Sequence, residues 1–120
     1  MELDYNKEYY SEYGKYIILE NIDDERVKIM FLYTKYESIV KKERVLSGKV
    51  IDYLLKYFDK EYYSGKGEPV KILSYGGKVN GRIFVNIKYL IYEYEDNVAL
   101  HELLKGNIRN PYYPNCYNIG

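Results

Sequence analysis

Cysteine, histidine, tryptophan and proline are scarce in this chain of 120 residues: one Cys, one His, no Trp and three Pro. A lone Cys116 closes no intramolecular disulfide, the usage expected of a reducing cytosol. A lone His101 cannot gather a histidine-based metal centre, and no Cys, His and carboxylate group has ligand spacing. No metal and no cofactor is therefore expected. Net charge is also missing, since 18 Lys+Arg balance 18 Asp+Glu. That composition makes a poor generic binder of nucleic acid or anionic membrane. No apolar run approaches the roughly 20 residues that span a bilayer. The first residues are acidic and Tyr-rich, unlike a secretory leader. A cytoplasmic protein without membrane contact is the expectation.

What is abundant is tyrosine, 18 against 3 Phe. It combines strand-compatible bulk with a polar tip, and it suits interfaces as well as cores. An AT-rich coding bias accounts equally well for much of it. The length is that of a single domain with a real core and no need of staples.

The pattern along the chain is mostly of strand type. Residues 1–13 alternate acids and tyrosines and read as an arm or a short helical turn. Tyr16 to Glu20 is a short β run, and Asn21 to Asp24 carries turn chemistry. Val27, Ile29, Phe31 and Tyr33 alternate with Lys28, Met30 and Leu32, as in a strand with one buried face. Tyr36 to Arg44 continues as a third strand. Val50, Ile51, Leu54, Leu55 and Phe58 recur at helical spacing and predict a helix over 50–58. Ser64 to Pro69 is a loop and the clearest internal boundary. Val70 to Leu73 is a strand, Gly76 to Gly81 a turn region, and Ile83 to Tyr89 a second strand with alternation. Ile91 to Glu95 reads as a further strand. Val98 to Leu104 predicts a short helix ended by Gly106 as C-cap.

Two degenerate copies of one unit emerge. Ile17 to Leu19, Val27 to Tyr33 and Gly48 to Asp52 make the first; Ile72-Leu73, Ile83 to Tyr89 and Gly106 to Asn110 make the second. Only hydrophobic pattern and glycine placement repeat, so convergence of two β-meanders explains them as well. The fold class expected is α+β: two antiparallel β-meander units with one or two helices. They form one domain, with an arm over 1–13, unit one over 14–63, unit two over 66–110 and a terminal arm over 111–120.

The segment Lys105 to Asn115 is the most specific in the chain. It sets Arg109, Asn110, Tyr112, Tyr113 and Asn115 around Pro111 and Pro114. Proline restricts its own φ and the residue before it, which predicts a stiff, extended segment. A guanidinium, amides and aromatic faces on a stiff segment suit a flat, charged ligand such as a nucleotide. An arm that packs on the domain or on a second subunit needs the same residues. Arg82, Phe84 and Asn86 share one strand face at period two and offer a cation, a ring and an amide together. For Phe84 the competing role is a second buried sheet face under a helix.

Catalysis is not expected. Cys116 would need a base, and His101, in a short helical stretch, reads as a surface or interface residue. Asp23 to Glu25 reads as a solvated acidic turn, and Glu93, Glu95 and Asp96 as an exposed edge. Gly65-Lys66-Gly67 and Gly76-Gly77-Lys78 lack the spacing of a phosphate loop.

The string Gly106 to Pro114 after a strand pair resembles a repeat of small phage and prophage proteins, also found ahead of phage HNH-type endonucleases. The second unit keeps Gly106, Asn110, Pro111, Tyr112 and Pro114 of that repeat; the first keeps Gly48, Lys49 and Asp52. The resemblance spans most of 14–120. The endonuclease relatives imply a DNA-associated β module, but the histidines of HNH chemistry are missing. Size and layout also look like the Thoeris anti-defence family, whose members sequester cyclic ADP-ribose isomers made by TIR-domain proteins. That resemblance implies a non-enzymatic sponge in the host cytoplasm, a homodimer or higher homo-oligomer, with a small nucleotide-type ligand. The ligand residues expected are Arg109, Asn110, Tyr112, Tyr113, Asn115, Arg82, Phe84 and Asn86. Two rival roles stand beside it: a protein-binding inhibitor of a defence complex, such as an anti-CRISPR, through an acidic Tyr-rich surface, and a DNA-binding accessory module.

Overall fold

The computed structural model describes residues 3–5 and 7–114. The chain divides into two compact units, Met1–Lys56 and Tyr57–Gly120. The boundary read at the Ser64–Pro69 loop falls inside the second of them. Each unit is a four-stranded antiparallel meander followed by a six-residue helix.

In the first unit the strands are β1 (Tyr9–Ser11), β2 (Gly14–Asn21), β3 (Arg26–Phe31) and β4 (Glu37–Lys41), in that order across the sheet. The alternation read in the sequence sets its faces: Val27, Ile29 and Phe31 are buried, as are Tyr16 and Ile18 on β2. The arm expected over 1–13 contains an edge strand instead. Tyr9 pairs with Tyr16 and stacks on its ring at 5.8 Å, so burial of an aromatic face recruits this stretch. Tyr16 also donates its hydroxyl to the Val45 carbonyl on α1 (Lys42–Ser47) at 3.2 Å.

The second unit repeats the order with β5 (Tyr62–Tyr63), β6 (Pro69–Val79), β7 (Arg82–Tyr89), β8 (Tyr94–Ala99) and α2 (Leu100–Lys105). From β3 onward the two units superpose in sequence at a constant offset of 58, the separation of Gly48 from Gly106. Val27, Ile29 and Phe31 correspond to Val85, Ile87 and Tyr89, all at most 1% exposed. The pairing Arg26↔Lys41 recurs as Phe84↔Ala99. Both helices end on a left-handed glycine, Gly48 at φ 71 and Gly106 at φ 75, a conformation that disfavours any Cβ. The helix expected at 98–104 is present but starts at Leu100, since Val98 and Ala99 complete β8.

The helix expected at 50–58 is not. Only Leu55–Tyr57 take one 3-10 turn, and the first unit's helix lies earlier, at the end of the run read as a third strand. The reason is Asp52. Its carboxylate accepts the Leu54 N–H at 3.0 Å, which satisfies the backbone locally. Val50 and Leu54 then bury from an irregular strap that mimics helical spacing. The turn read at 76–81 is likewise shorter. Strand β6 continues to Val79 through two register shifts, and only Asn80 and Gly81 turn. Gly76 tolerates this because a Cβ there would meet the Asn97 amide and the backbone of Val85 and Asn86. Leu90 to Glu93 form a turn, so the last strand starts later than expected.

Tyr89 carries the one extra oxygen relative to its counterpart Phe31. Among the described residues its buried hydroxyl meets no hydrogen-bond partner. Burial, and then the charges of Asp96 and Glu68, push it up to about 12. A raised tyrosine favours the folded state below pH 10 and loses that contribution as pH rises from 10 towards 12. An unpaired buried hydroxyl costs about 1–3 kcal/mol, so Tyr89→Phe should stabilise the protein by about 1 kcal/mol. Chemical denaturation at pH 7 and pH 11 checks both parts: a gain at pH 7 and a smaller alkaline loss than in the parent.

Among the described residues no helix is long and apolar enough to cross a membrane.

Candidate functional site

The site grows from the end of α2. Gly106 turns the chain out of the helix, with its N–H on the Leu103 carbonyl at 3.1 Å. Ile108 is then buried, and its carbonyl accepts the Gly65 N–H at 3.0 Å. Asn110 is buried as well, at 2% exposure. Between two inward residues in an extended stretch, Arg109 faces outward.

Asn110 organises the residues on its C-terminal side. Its Oδ1 accepts the Tyr112 N–H at 2.9 Å, and its carbonyl accepts the Tyr113 N–H at 3.1 Å. With Pro111 in second position this is a tight Asx-type turn. The segment expected to be stiff and extended is thus a turn, because the Asn110 side chain supplies an acceptor that an extended chain would leave unused. The other half of the amide holds the turn to the sheet. Nδ2 donates to Glu68 Oε1 at 3.0 Å and to the Tyr92 carbonyl at 3.4 Å. Glu68, fully buried, accepts the Ile91 and Tyr92 N–H groups on its Oε2 at 3.1 and 2.8 Å. One carboxylate therefore ties together the turn after α2, the turn before β8 and the start of β6.

The first unit builds the same device with different chemistry. Asp52 occupies the position of Asn110 and accepts the Leu54 N–H in the same way. Its second oxygen accepts the Thr34 hydroxyl at 2.6 Å. Burial pushes the Asp52 carboxyl up, against the pull of the Thr34 and Leu54 donors. The Glu68 carboxylate, an acceptor only, calls for an amide donor at Asn110, whereas the Thr34 hydroxyl can donate to a carboxylate at Asp52 or accept from an amide there.

Around the second turn Lys66, Arg109, Asn110, Pro111 and Tyr113 line an open recess of about 340 Å³. Tyr113 is held by an edge contact to Tyr92 at 5.2 Å, and Tyr112 by one to Tyr94 at 5.3 Å. Tyr112 is 69% exposed. Among the described residues the Arg109 guanidinium makes no ion pair. Two cations beside a held aromatic ring can receive an anionic group and a ring of one ligand. The first unit has Ile51 at the place of Arg109, so this chemistry belongs to the second unit alone.

The expected site residues thus divide. Arg109, Asn110 and Tyr113 meet at the recess, with Tyr112 beside them on the same turn. Asn110 serves as scaffold, since its amide is committed to the protein. Arg82, Phe84 and Asn86 lie elsewhere. Arg82 opens β7, and the recess adjoins residues beyond Tyr89 at its far end, roughly 23 Å of strand away. Arg82 Nη2 lies 3.2 Å from His101 Nε2, and the same nitrogen lies 2.8 Å from Glu102. Asn86 donates to Ser74 Oγ at 3.0 Å and accepts from Asn97 Nδ2 at 3.0 Å. Phe84 is half-buried between Gly77 and Ala99 on the same face. Asn115 and Cys116 lie outside the described residues. Sequence reasoning missed Lys66 and Glu68. Nothing periodic marks either one, although a carboxylate directly before Pro69 at a strand start is an unusual placement. Among the described residues no three His, Cys, Asp or Glu side chains gather as a metal site would need.

Comparison of the chain with protein-family models, curated proteins and solved structures returns no match.

Proposed function

We propose that this protein binds a small nucleotide-type anion at the Arg109 recess and holds it without turnover. The observation that carries the reading is the outward Arg109, pinned between buried Ile108 and Asn110 and set beside Lys66 and Tyr113. Buried neighbours hold the Arg109 backbone in place, so only the side chain must be ordered when its guanidinium grips a phosphate. The tyrosine ring offers a face or edge to a base or ribose. The resemblance of Gly106 to Pro114 to phage proteins supplies the setting: sequestration of an immune signal such as a cyclic ADP-ribose isomer in the host cytoplasm. A ligand that binds only the folded state raises the melting temperature by mass action. Purified protein with a panel of cyclic ADP-ribose isomers and cyclic oligonucleotides should show a shift with one of them. The ligand should be recovered intact after heat denaturation, and Arg109→Ala should abolish the shift while keeping the parent fold. No shift with any of them refutes the reading.

One observation favours a second reading, a DNA-associated module. The outer face of β6–β8 carries Lys71, Arg82 and Lys88 together with the amides of Asn86 and Asn97, against Glu95. Retention on duplex DNA that falls steeply with salt, and is lost in Arg82→Ala/Lys88→Ala but kept in Arg109→Ala, would select it.

A further inference from the structure

Strand β4 ends the first sheet and pairs on one side only. Its backbone polarity follows from the ladder with β3. Phe31 N–H donates to the Tyr36 carbonyl, and Lys42 N–H to the Glu25 carbonyl, at 3.0 and 2.8 Å. Antiparallel pairs alternate, so Ser38, Val40 and Lys42 direct their N–H groups at β3, while the Tyr36 N–H donates to Thr34 Oγ1 at 3.1 Å. Glu37, Ile39 and Lys41 direct theirs away from the sheet. Among the described residues no backbone hydrogen bond from another segment reaches them. The side chains of these three share the outer face, and Ile39 is 52% exposed.

The sequence of this edge is complementary to itself. When two copies are laid antiparallel with the two-fold axis at Ile39, Ile39 faces its own copy. Glu37 then faces Lys41 of the second copy, and Lys41 faces Glu37. Opposite charges in directly facing positions stabilise a strand pair, and two β-branched residues pack at its centre. The Ile39 N–H and carbonyl exchange two bonds across the axis, and each Lys41 N–H reaches a Glu37 carbonyl, for about four backbone hydrogen bonds. Beside the edge runs a groove of about 460 Å³ lined by Ser38 to Lys41 with Lys49, Val50, Ile51 and Tyr53. It leaves room along the strand and adds apolar surface from Ile51 and Tyr53.

The equivalent edge of the second unit is closed to the same pairing. Asn97 takes the place of Ile39, and its N–H is already capped by Asp96 Oδ1 at 2.8 Å. Its amide is spent on Asn86 and the Gly76 carbonyl. A two-fold axis there would set Glu95 against Ala99, with no charge pair. Charges and side-chain caps are how sheet edges are protected from pairing. One of the two repeated edges carries that protection, and the other carries a self-complementary pattern.

We propose that the protein dimerises through β4, joining two copies of the first sheet into one continuous eight-stranded sheet. The occupant of the edge is a second copy of this chain, because the Glu37–Lys41 complementarity is symmetric about Ile39. The surface lies in the first unit and does not draw on the Arg109 recess.

Sedimentation analysis of the full chain over a wide range of concentration tests this. The parent should run as a dimer at high concentration and dissociate on dilution. Lys41→Glu places two carboxylates opposite each other and should weaken dimerisation about tenfold or more. Within one copy Lys41 faces Arg26, so that substitution exchanges a like-charge neighbour for an opposite one, and folding is spared. The double swap Glu37→Lys/Lys41→Glu gives up the part-exposed Glu37–Lys28 ion pair at 3.3 Å, a surface contact on which the fold does not depend, but restores complementarity across the axis and should restore the dimer. Ile39→Pro removes only an outward N–H, which an edge strand tolerates, and should give a folded monomer by circular dichroism. A parent that is monomeric at every concentration, a Lys41→Glu dimer as tight as the parent, or a double swap that stays monomeric overturns the proposal.

Discussion

Glu68→Ala should unfold or nearly unfold the second unit. The carboxylate is fully buried and receives Asn110 Nδ2, the Ile91 N–H and the Tyr92 N–H. Removing it strands Asn110 Nδ2 in a buried position and takes the acceptor from two part-buried backbone N–H groups at once. Breaking a buried, charge-assisted network of this kind costs about 3–5 kcal/mol, a large share of the stability of a small domain. Urea denaturation of the variant against the parent measures it. Native-state hydrogen exchange locates it, with the Ile91 and Tyr92 amides losing protection first. Glu68→Gln should fall between the two. Its carboxamide keeps one acceptor and turns a donor towards another donor. Parent-like stability in Glu68→Ala would mean that water replaces the carboxylate without cost.

Exchanging the two turn residues should give opposite results. Asn110→Asp places a carboxylate 3.0 Å from Glu68 in a buried position, where two like charges cannot both ionise cheaply. A loss of at least about 3 kcal/mol at neutral pH is expected. The sign of its pH dependence follows from linkage. One carboxyl of the new pair titrates above its unfolded value, so stability is retained at low pH and lost as pH rises through the raised value. The variant should therefore recover towards the parent in mild acid. Asp52→Asn should be nearly silent, changing stability by no more than about 1 kcal/mol. Its amide oxygen still caps the Leu54 N–H, and its nitrogen can donate to Thr34 Oγ. It also removes a carboxyl that burial pushes up and whose ionisation disfavours folding. Thermal melts of both variants from pH 4 to 8 compare them directly.

The pair of turns explains how one backbone device serves two units while Arg109 and Lys66 line a recess beside only one of them. Outward residues on a fixed turn are free to change, because the fold depends on the inward neighbours. Ile51 and Arg109 occupy the same place on the same scaffold. The turn is built by Asp52 or Asn110, and the chemistry is chosen by the residue just before.

Much of the fold was legible in the residues themselves. Period-two alternation at Val27 to Phe31 and Val85 to Tyr89 fixed which faces bury, because a strand cannot turn every second side chain elsewhere. Gly106 marked where the second helix stops, since the left-handed conformation there penalises a Cβ; Gly48 does the same for the first helix, which the strand reading of Tyr36 to Arg44 hid. The repeat itself was visible for the same reason. What tertiary structure alone decided are the features that rest on partners distant in sequence. Tyr9 is a strand residue because Tyr16 offers it a ring. Val50 to Leu54 form a strap rather than a helix because Asp52 finds Thr34. Asn110 is scaffold rather than ligand contact because Glu68 lies 42 positions earlier and buried beside it. Arg109, the first candidate in the sequence, and Arg82, the second, are parted by the length of β7. Local pattern dictates which way a side chain points; only the folded chain determines what it meets there.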